Sequence, residues 1–212
     1  MAKIEIRNLV LGMVATNTYF VMNQQTKEML LIDPADEPET MEQQVLRMEG
    51  EPKAVLLTHG HFDHMMAASA CAAKYGISVY AHELEEEVLE NAQYNLSGRW
   101  MHAYTMKADR LVKDGDILNL AGFRICVYHT PGHTQGSVCY YLPEEAVLFS
   151  GDTIFAQSYG RTDFPTSSMK DMQKSVAKIL LKLPDNTDIY PGHNEATTIA
   201  IEKRYNPHHT RF

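Results

Sequence analysis

Apolar and polar positions follow two different periods along the chain, and the changes between them mark out the elements. "NTYFVM" and "MLLI" flank a polar turn, which predicts a hairpin over 17–34 ending at Asp33-Pro34. Met41, Val45 and Met48 share one face at helical spacing and predict a helix over 37–49. "AVLLT" (54–58) reads as a strand, and the alanine-rich stretch 65–76 as a helix stopped by Gly76. "ISVYA" (77–81) is a short strand, followed by an acidic helix over 82–90 with a solvated face. Residues 91–109 show only weak periodicity and are expected to form a mobile loop. Successive hairpins over 115–133 and 136–152 follow, then a helix within 167–184, a strand over 187–193 and a helix near 197–204. A β-rich segment plus helix, recurring in two halves, predicts two sheets packed face to face with helices outside, a four-layer αββα sandwich of the α/β class.

Length and charge narrow the picture. The 212 residues, 44% of them hydrophobic, suffice for one domain spanning 1–212 with a sizeable core. A net charge of −8 argues against nucleic acid or an anionic membrane as partner, since both select basic surfaces. Glu5, Arg7, Asn8 and Asn17 interrupt the N-terminal apolar stretch, so it reads as a strand rather than a signal or a span. Cys71, Cys126 and Cys139 form no C-x-x-C pair and are expected to be reduced, mostly buried thiols of a cytoplasmic protein.

The chemistry concentrates in "THGHFDH", where His59, His61, Asp63 and His64 fall within six positions. Three glycine-flanked loops add His133 in "TPGHTQGS", Asp152 in "FSGDTIF" and His193 in "YPGHNEA". Each follows a strand-like run, so each side chain sits where a strand opens onto a loop. Imidazole nitrogen and carboxylate oxygen are donors for zinc and other first-row divalent ions. Five histidines and two aspartates exceed what one tetrahedral ion takes, so two ions are expected, with a carboxylate such as Asp152 bridging them. With no cysteine in the set, open positions for water are expected. His82, His102, His208 and His209 read as ordinary solvated or hydrogen-bonded histidines. His129 reads as a packing residue or a support for a ligand, not as a ligand.

These motifs resemble the metallo-β-lactamase superfamily, whose signature is H-x-H-x-D-H followed by separate His, Asp and His loops. The likeness runs from about Asn17 to Pro207 and implies the αββα sandwich with the metal site at one edge of the two sheets. Within the superfamily, "TPGHTQGSVCYYL", "LFSGDTIF", "GRTDFP" and "EKRYNP" make the chain most similar to the short bacterial members of the glyoxalase II (hydroxyacylglutathione hydrolase) branch. The resemblance implies His59, His61 and His133 on one metal, Asp63, His64 and His193 on a second, and Asp152 bridging. Zinc is the ion expected, with iron or manganese compatible with the same donors. Three features depart from the family patterns. Asp152 stands where the main zinc-dependent β-lactamases carry Cys, so β-lactams are expected to be poor substrates. The helical C-terminal domain by which long glyoxalase II enzymes hold glutathione is expected to have no counterpart here. Arg161 and Asp163 replace the Lys and Tyr of those enzymes, which leaves Arg161 as the candidate for gripping the tail of the thiol carrier, or merely for stiffening its turn against Asp163.

The function implied is hydrolysis of a small-molecule thioester of the S-acyl-glutathione type, with a metal-bridging hydroxide attacking and Asp63 and Asp152 in the catalytic machinery. A thiolate leaving group, with a pKa of about 8.5, departs without a general acid. The alternatives are a mono-iron persulfide dioxygenase, a lactonase of the same fold and, last, a non-catalytic metal-binding module.

Overall fold

Strand register, rather than any single motif, brings the distant loops together. A computed structural model describes residues 3–208; His209 lies outside the described residues. The first sheet takes β1 (Ile4–Leu11), β2 (Thr16–Asn23), β3 (Glu28–Ile32), β4 (Glu51–Leu56), β5 (Ser78–His82) and β6 (Arg110–Val112) in chain order. Its first three strands are antiparallel and the rest parallel. Helices α1 (Pro38–Met48), α2 (Phe62–Met65), α3 (Ala68–Tyr75), α4 (Glu86–Leu89) and α5 (Ser97–Trp100) fall in the connections. The second sheet contains β7 (Ile117–Leu120), β8 (Phe123–His129), β9 (Val138–Leu142), β10 (Val147–Gly151), β13 (Asp188–Pro191) and β14 (Thr197–Thr198), in the order β14-β13-β10-β9-β8-β7. A small ribbon of β11 (Ile154–Phe155) and β12 (Ser158–Tyr159), helix α6 (Met169–Lys182) and helix α7 (Ile199–Tyr205) complete the chain.

Both faces of the central strands are buried, which explains the unbroken apolar run over 19–22 in β2. Tyr19, Val21, Leu30 and Leu56 meet Phe123, Val127, Tyr140 and Phe149 between the sheets. Phe20, Met22, Leu31 and Val55 face the other way, onto Met41 and Val45 of α1 and Cys71 of α3. Across the second sheet, Cys139, Tyr141 and Leu148 pack on Met172, Val176 and Ile179 of α6. This is the four-layer αββα sandwich expected. Each fully buried side chain of this size contributes about 1.5–3 kcal/mol through its removal from water. All three cysteines are free thiols, Cys71 and Cys139 buried and Cys126 half-buried. No helix among the described residues is long and apolar enough to cross a membrane.

Several local expectations are corrected. The helix expected over 65–76 is α3 and starts at Ala68, because the Ala67 N–H donates to the Pro34 carbonyl at 3.0 Å and separates it from α2. The acidic helix over 82–90 is a 3₁₀ turn (Glu83–Glu85) followed by α4, and Glu85 is wholly buried rather than solvated. The loop 91–109 is tied down by polar side chains, which leave no apolar period to read. Asn95 donates to the carbonyls of Leu89 and Tyr104 and accepts from Ser97 N–H, while its own carbonyl accepts from Phe62 N–H.

Two of the histidines read as solvated or hydrogen-bonded, His82 and His208, are buried. His208 packs on the Tyr159 ring. His82 stacks face to face on His129 with centroids 4.2 Å apart and accepts from Leu84 N–H, so His129 has a packing role. His102 is exposed, as expected. Burial and the neighbouring His129, against weaker opposition from Glu83, Asp114 and Asp116, hold the His82 imidazole down at about 4. A base depressed in the fold is protonated more readily when unfolded, so its contribution is present above about pH 6.5 and is lost as pH falls towards 4. Between pH 7 and pH 4, His82→Gln is therefore expected to flatten the stability profile of the chelator-treated protein by roughly 1–2 kcal/mol after solvent screening. Denaturant melts across that range check this, and parallel profiles would refute it.

Candidate metal centre

Strand ends set each donor. β4 runs out at Leu56, and two residues later the chain turns into His59, His61 and α2, which carries Asp63 and His64. His133 lies in the loop after β8, Asp152 directly after β10 and His193 directly after β13. β10 and β13 are parallel and pair Gly151 with Pro191, so Asp152 and His193 leave the sheet side by side. The two sheets are joined here by Val138 N–H donating to the Thr58 carbonyl at 2.8 Å. β2 completes the closure from the far end of the chain. Asn17 donates through its side chain to the carbonyls of Pro191 (3.0 Å) and Asn194 (2.9 Å), and Tyr19 O–H donates to Pro191 at 2.6 Å.

All seven predicted residues come together. Three sets, His59–His61–His133, His59–His64–Asp152 and Asp63–His64–His193, each bring their donor atoms within 4.8 Å of one another. The histidines other than His193 are buried, as is Asp152, whereas Asp63 and His193 are half-buried. His59 Nε2, His61 Nε2, His64 Nε2 and Asp152 Oδ1 are buried with no hydrogen-bond partner. Buried polar atoms without a hydrogen bond are costly and rare, and their concentration on residues of metal-donor type fits divalent cations.

The other atom of most donors is held. His64 Nδ1 donates to Asp33 Oδ2 at 2.9 Å, His133 Nδ1 to the Arg161 carbonyl at 2.8 Å and His193 Nδ1 to the Ala15 carbonyl at 3.3 Å. His59 Nδ1 pairs with the Thr58 hydroxyl at 3.1 Å, and Asp63 Oδ2 accepts from Thr16 O–H at 2.9 Å. Such contacts fix the tautomer and ring plane that a metal ligand requires. Asp33, in a left-handed conformation at φ 48°, also accepts from the Thr58 N–H and hydroxyl, each at 2.7 Å. Sequence reading marked Asp33 only as the end of a hairpin and passed over Thr16 and Thr58.

Charge within the cluster is divided. Burial, then neighbouring histidines, hold His59 and His61 well below the ordinary imidazole range, so both are neutral and available as ligands. Burial lowers His133 too, against the pull of Asp152. Burial would also lower His64, but Asp63, Asp33 and Asp152 outweigh it and raise the ring to about 10. Burial opposes the charge on His193 too, but the hydrogen bond to Asp63 and the charges of Asp152 and Asp63 together outweigh it and raise the ring. Burial opposes ionisation of Asp63, yet His64 and the bond to His193 hold its carboxyl below the usual range. The carboxylates thus demand positive charge at this spot, which protons supply in the metal-free chain and cations would supply in the loaded one.

A cavity of about 580 Å³ opens onto the cluster. Its walls are largely apolar, with Val14, Leu96, Trp100, Phe155 and Phe164 among them, and Arg161 stands on its rim. The guanidinium lies 4.1 Å over the Phe164 ring and binds both Asp163 carboxylate oxygens at 2.7 Å, largely in solvent.

Residues 11–193 match the metallo-beta-lactamase superfamily. The chain belongs to that superfamily. It is 34% identical to the probable metallo-hydrolase YqgX of Bacillus subtilis, over 95% of each protein. It is 33% identical to the hydroxyacylglutathione hydrolase GloC of Haemophilus influenzae, over 85% of this chain and 87% of that one. Among solved structures, the BLEG-1 B3 metallo-beta-lactamase is similar at 38% identity and a TM-score of 0.92, covering 98% of this chain and all of that one. The di-iron-bound form of TTHA1623 is similar at 35% identity and a TM-score of 0.82, covering 95% and 98%. The chain is accordingly a metallo-hydrolase family member of this superfamily and carries a His/Asp cluster of metal-donor residues.

Proposed function

We propose that the protein is a two-metal thioesterase acting on S-acyl thiol substrates of the glyoxalase II type. The convergence of seven donor-type residues, in three sets whose ligand atoms lie within 4.8 Å of one another, carries the two-metal half of this reading. Similarity to a hydroxyacylglutathione hydrolase supports the thioester half. His59, His61 and His133 would hold one ion and Asp63, His64 and His193 the other, with Asp152 shared. Bound divalent ions supply Lewis acidity towards the substrate carbonyl and acidify a water for attack. The chain's own task is orientation: Asp33, Thr58, Thr16 and the Arg161 carbonyl hold the donors in register. No cysteine lines the cavity, so no protein thiol serves as nucleophile. A departing thiolate, with a pKa of about 8.5, needs no acid from the protein.

The test is a substrate panel on metal-analysed protein. Thioester turnover with two metal equivalents is the expected result. A single iron with oxygen uptake on a persulfide would replace this reading by the dioxygenase. Preferential turnover of a lactone would make the protein a lactonase. Likeness to a protein named as a B3 metallo-beta-lactamase places β-lactams on the same panel, against the expectation that they are poor substrates. Arg161 carries a more detailed prediction. If its guanidinium leaves Asp163 for the tail of an anionic substrate, Arg161→Ala lowers kcat/KM for that thioester by about 1.5–3 kcal/mol and spares a neutral, truncated one. Equal losses for both would leave Arg161 as a brace for its own turn.

A further inference from the structure

The proposed three-histidine site is built from two loops, 58–62 and 130–137, and one buried carboxylate touches both. Glu85, fully buried, accepts from Gly60 N–H on Oε2 at 2.6 Å. Its Oε1 accepts from the Thr134 hydroxyl at 2.6 Å and from Gly136 N–H at 2.8 Å. Gly60 separates His59 from His61, and Thr134 follows His133, so the carboxylate lies directly behind the backbone of all three. The approach is close enough to dictate sequence. A Cβ at residue 60 would stand 2.9 Å from Oε2, and one at residue 136 would stand 2.7 Å from Oε1. The glycines of "HGH" and "TQGS" are therefore the complement of Glu85. Gln135 strengthens the junction by donating to the Leu84 carbonyl at 3.0 Å and the Glu87 carboxylate at 3.1 Å. Burial pushes the Glu85 carboxyl up to about 7, opposed by the donors from Thr134, Gly60 and Gly136.

We infer that Glu85 is a positioning residue for the His59–His61–His133 metal site, fixing the distance between the two loops that supply it. It touches no donor side chain and acts entirely through Gly60, Thr134 and Gly136. The inference rests on the proposed assignment of that triad to one ion. Its specific consequence is asymmetry: the Asp63–His64–His193 site hangs on Asp33, Thr16 and β13 and does not depend on Glu85.

Zinc titrations against a chromophoric chelator test this in two backgrounds, His193→Ala and His133→Ala, each leaving one site intact. Failure of the wild-type chain to take up zinc would remove the underlying assignment before Glu85 is examined. With the wild type loaded, Glu85→Gln in the His193→Ala background is expected to weaken the remaining ion by about 10–100-fold. In the His133→Ala background the same change is expected to leave affinity within about twofold. Equal losses in both backgrounds, or none in the first, would overturn the inference. If Glu85→Gln does not fold, Thr134→Val removes one of the three donors and Thr134→Ser restores it. The same contrast between backgrounds, with rescue by serine, is then required.

Discussion

Replacing Asp152 by alanine is expected to reduce bound metal from two equivalents to one or fewer and to abolish hydrolysis. Its carboxylate lies 3.4 Å from His133 Nε2, 3.4 Å from His64 Nε2 and 3.6 Å from His193 Nε2, between the two proposed ligand sets. No other carboxylate among the described residues reaches donors of both sets. Loss of the shared ligand should cost on the order of 10³-fold or more in rate, about 4 kcal/mol of barrier. Elemental analysis and thioester kinetics on the folded variant provide the check. Retention of two ions with full turnover would end the bridging assignment.

The second large effect is expected at Asp33, which never faces substrate. Its buried carboxylate receives the Thr58 N–H, the Thr58 hydroxyl and the His64 ring. Asp33→Ala would leave these three donors unpaired in a dry interior, at a cost of about 3–5 kcal/mol in folding stability. His64 would also lose the contact that fixes its ring, and the ion it shares with Asp63 and His193 should bind more weakly. Denaturant unfolding with a chelator present separates stability from metal linkage. A change below about 1 kcal/mol would show that Thr58 and His64 find other partners.

The metal donors were legible because their residue types, crowded into "HGHFDH" and repeated at three strand ends, have few uses other than metal binding. Their supports were not. Asp33 is one acid at the end of a strand-like run, and nothing local marks it as the acceptor for a residue 31 positions away. Glu85 stands in a run of glutamates, where charge patterning predicts a solvated face. Only the fold shows that one of them turns inward, to a gap left by two glycines. The same holds for 91–109, whose order comes from Asn95 and backbone carbonyls rather than from apolar spacing. Layers and strands, by contrast, follow from the apolar pattern, because burial on one face marks every second residue and burial on both marks a continuous run.

The bonds from Asn17 and Tyr19 to the His193 loop span 172 to 177 residues and so bear on how the protein is made. During synthesis, β2 emerges long before its partners at Pro191 and Asn194 exist. The site therefore cannot be completed before residues 191–194 have emerged, and the closing contacts are among the most sequence-distant the described residues contain. Pairings of this kind form late, since the entropy of closing so long a loop precedes any gain. Full metal loading would thus wait until residue 193 has been made, and a chain stalled before it presents an incomplete set of ligands.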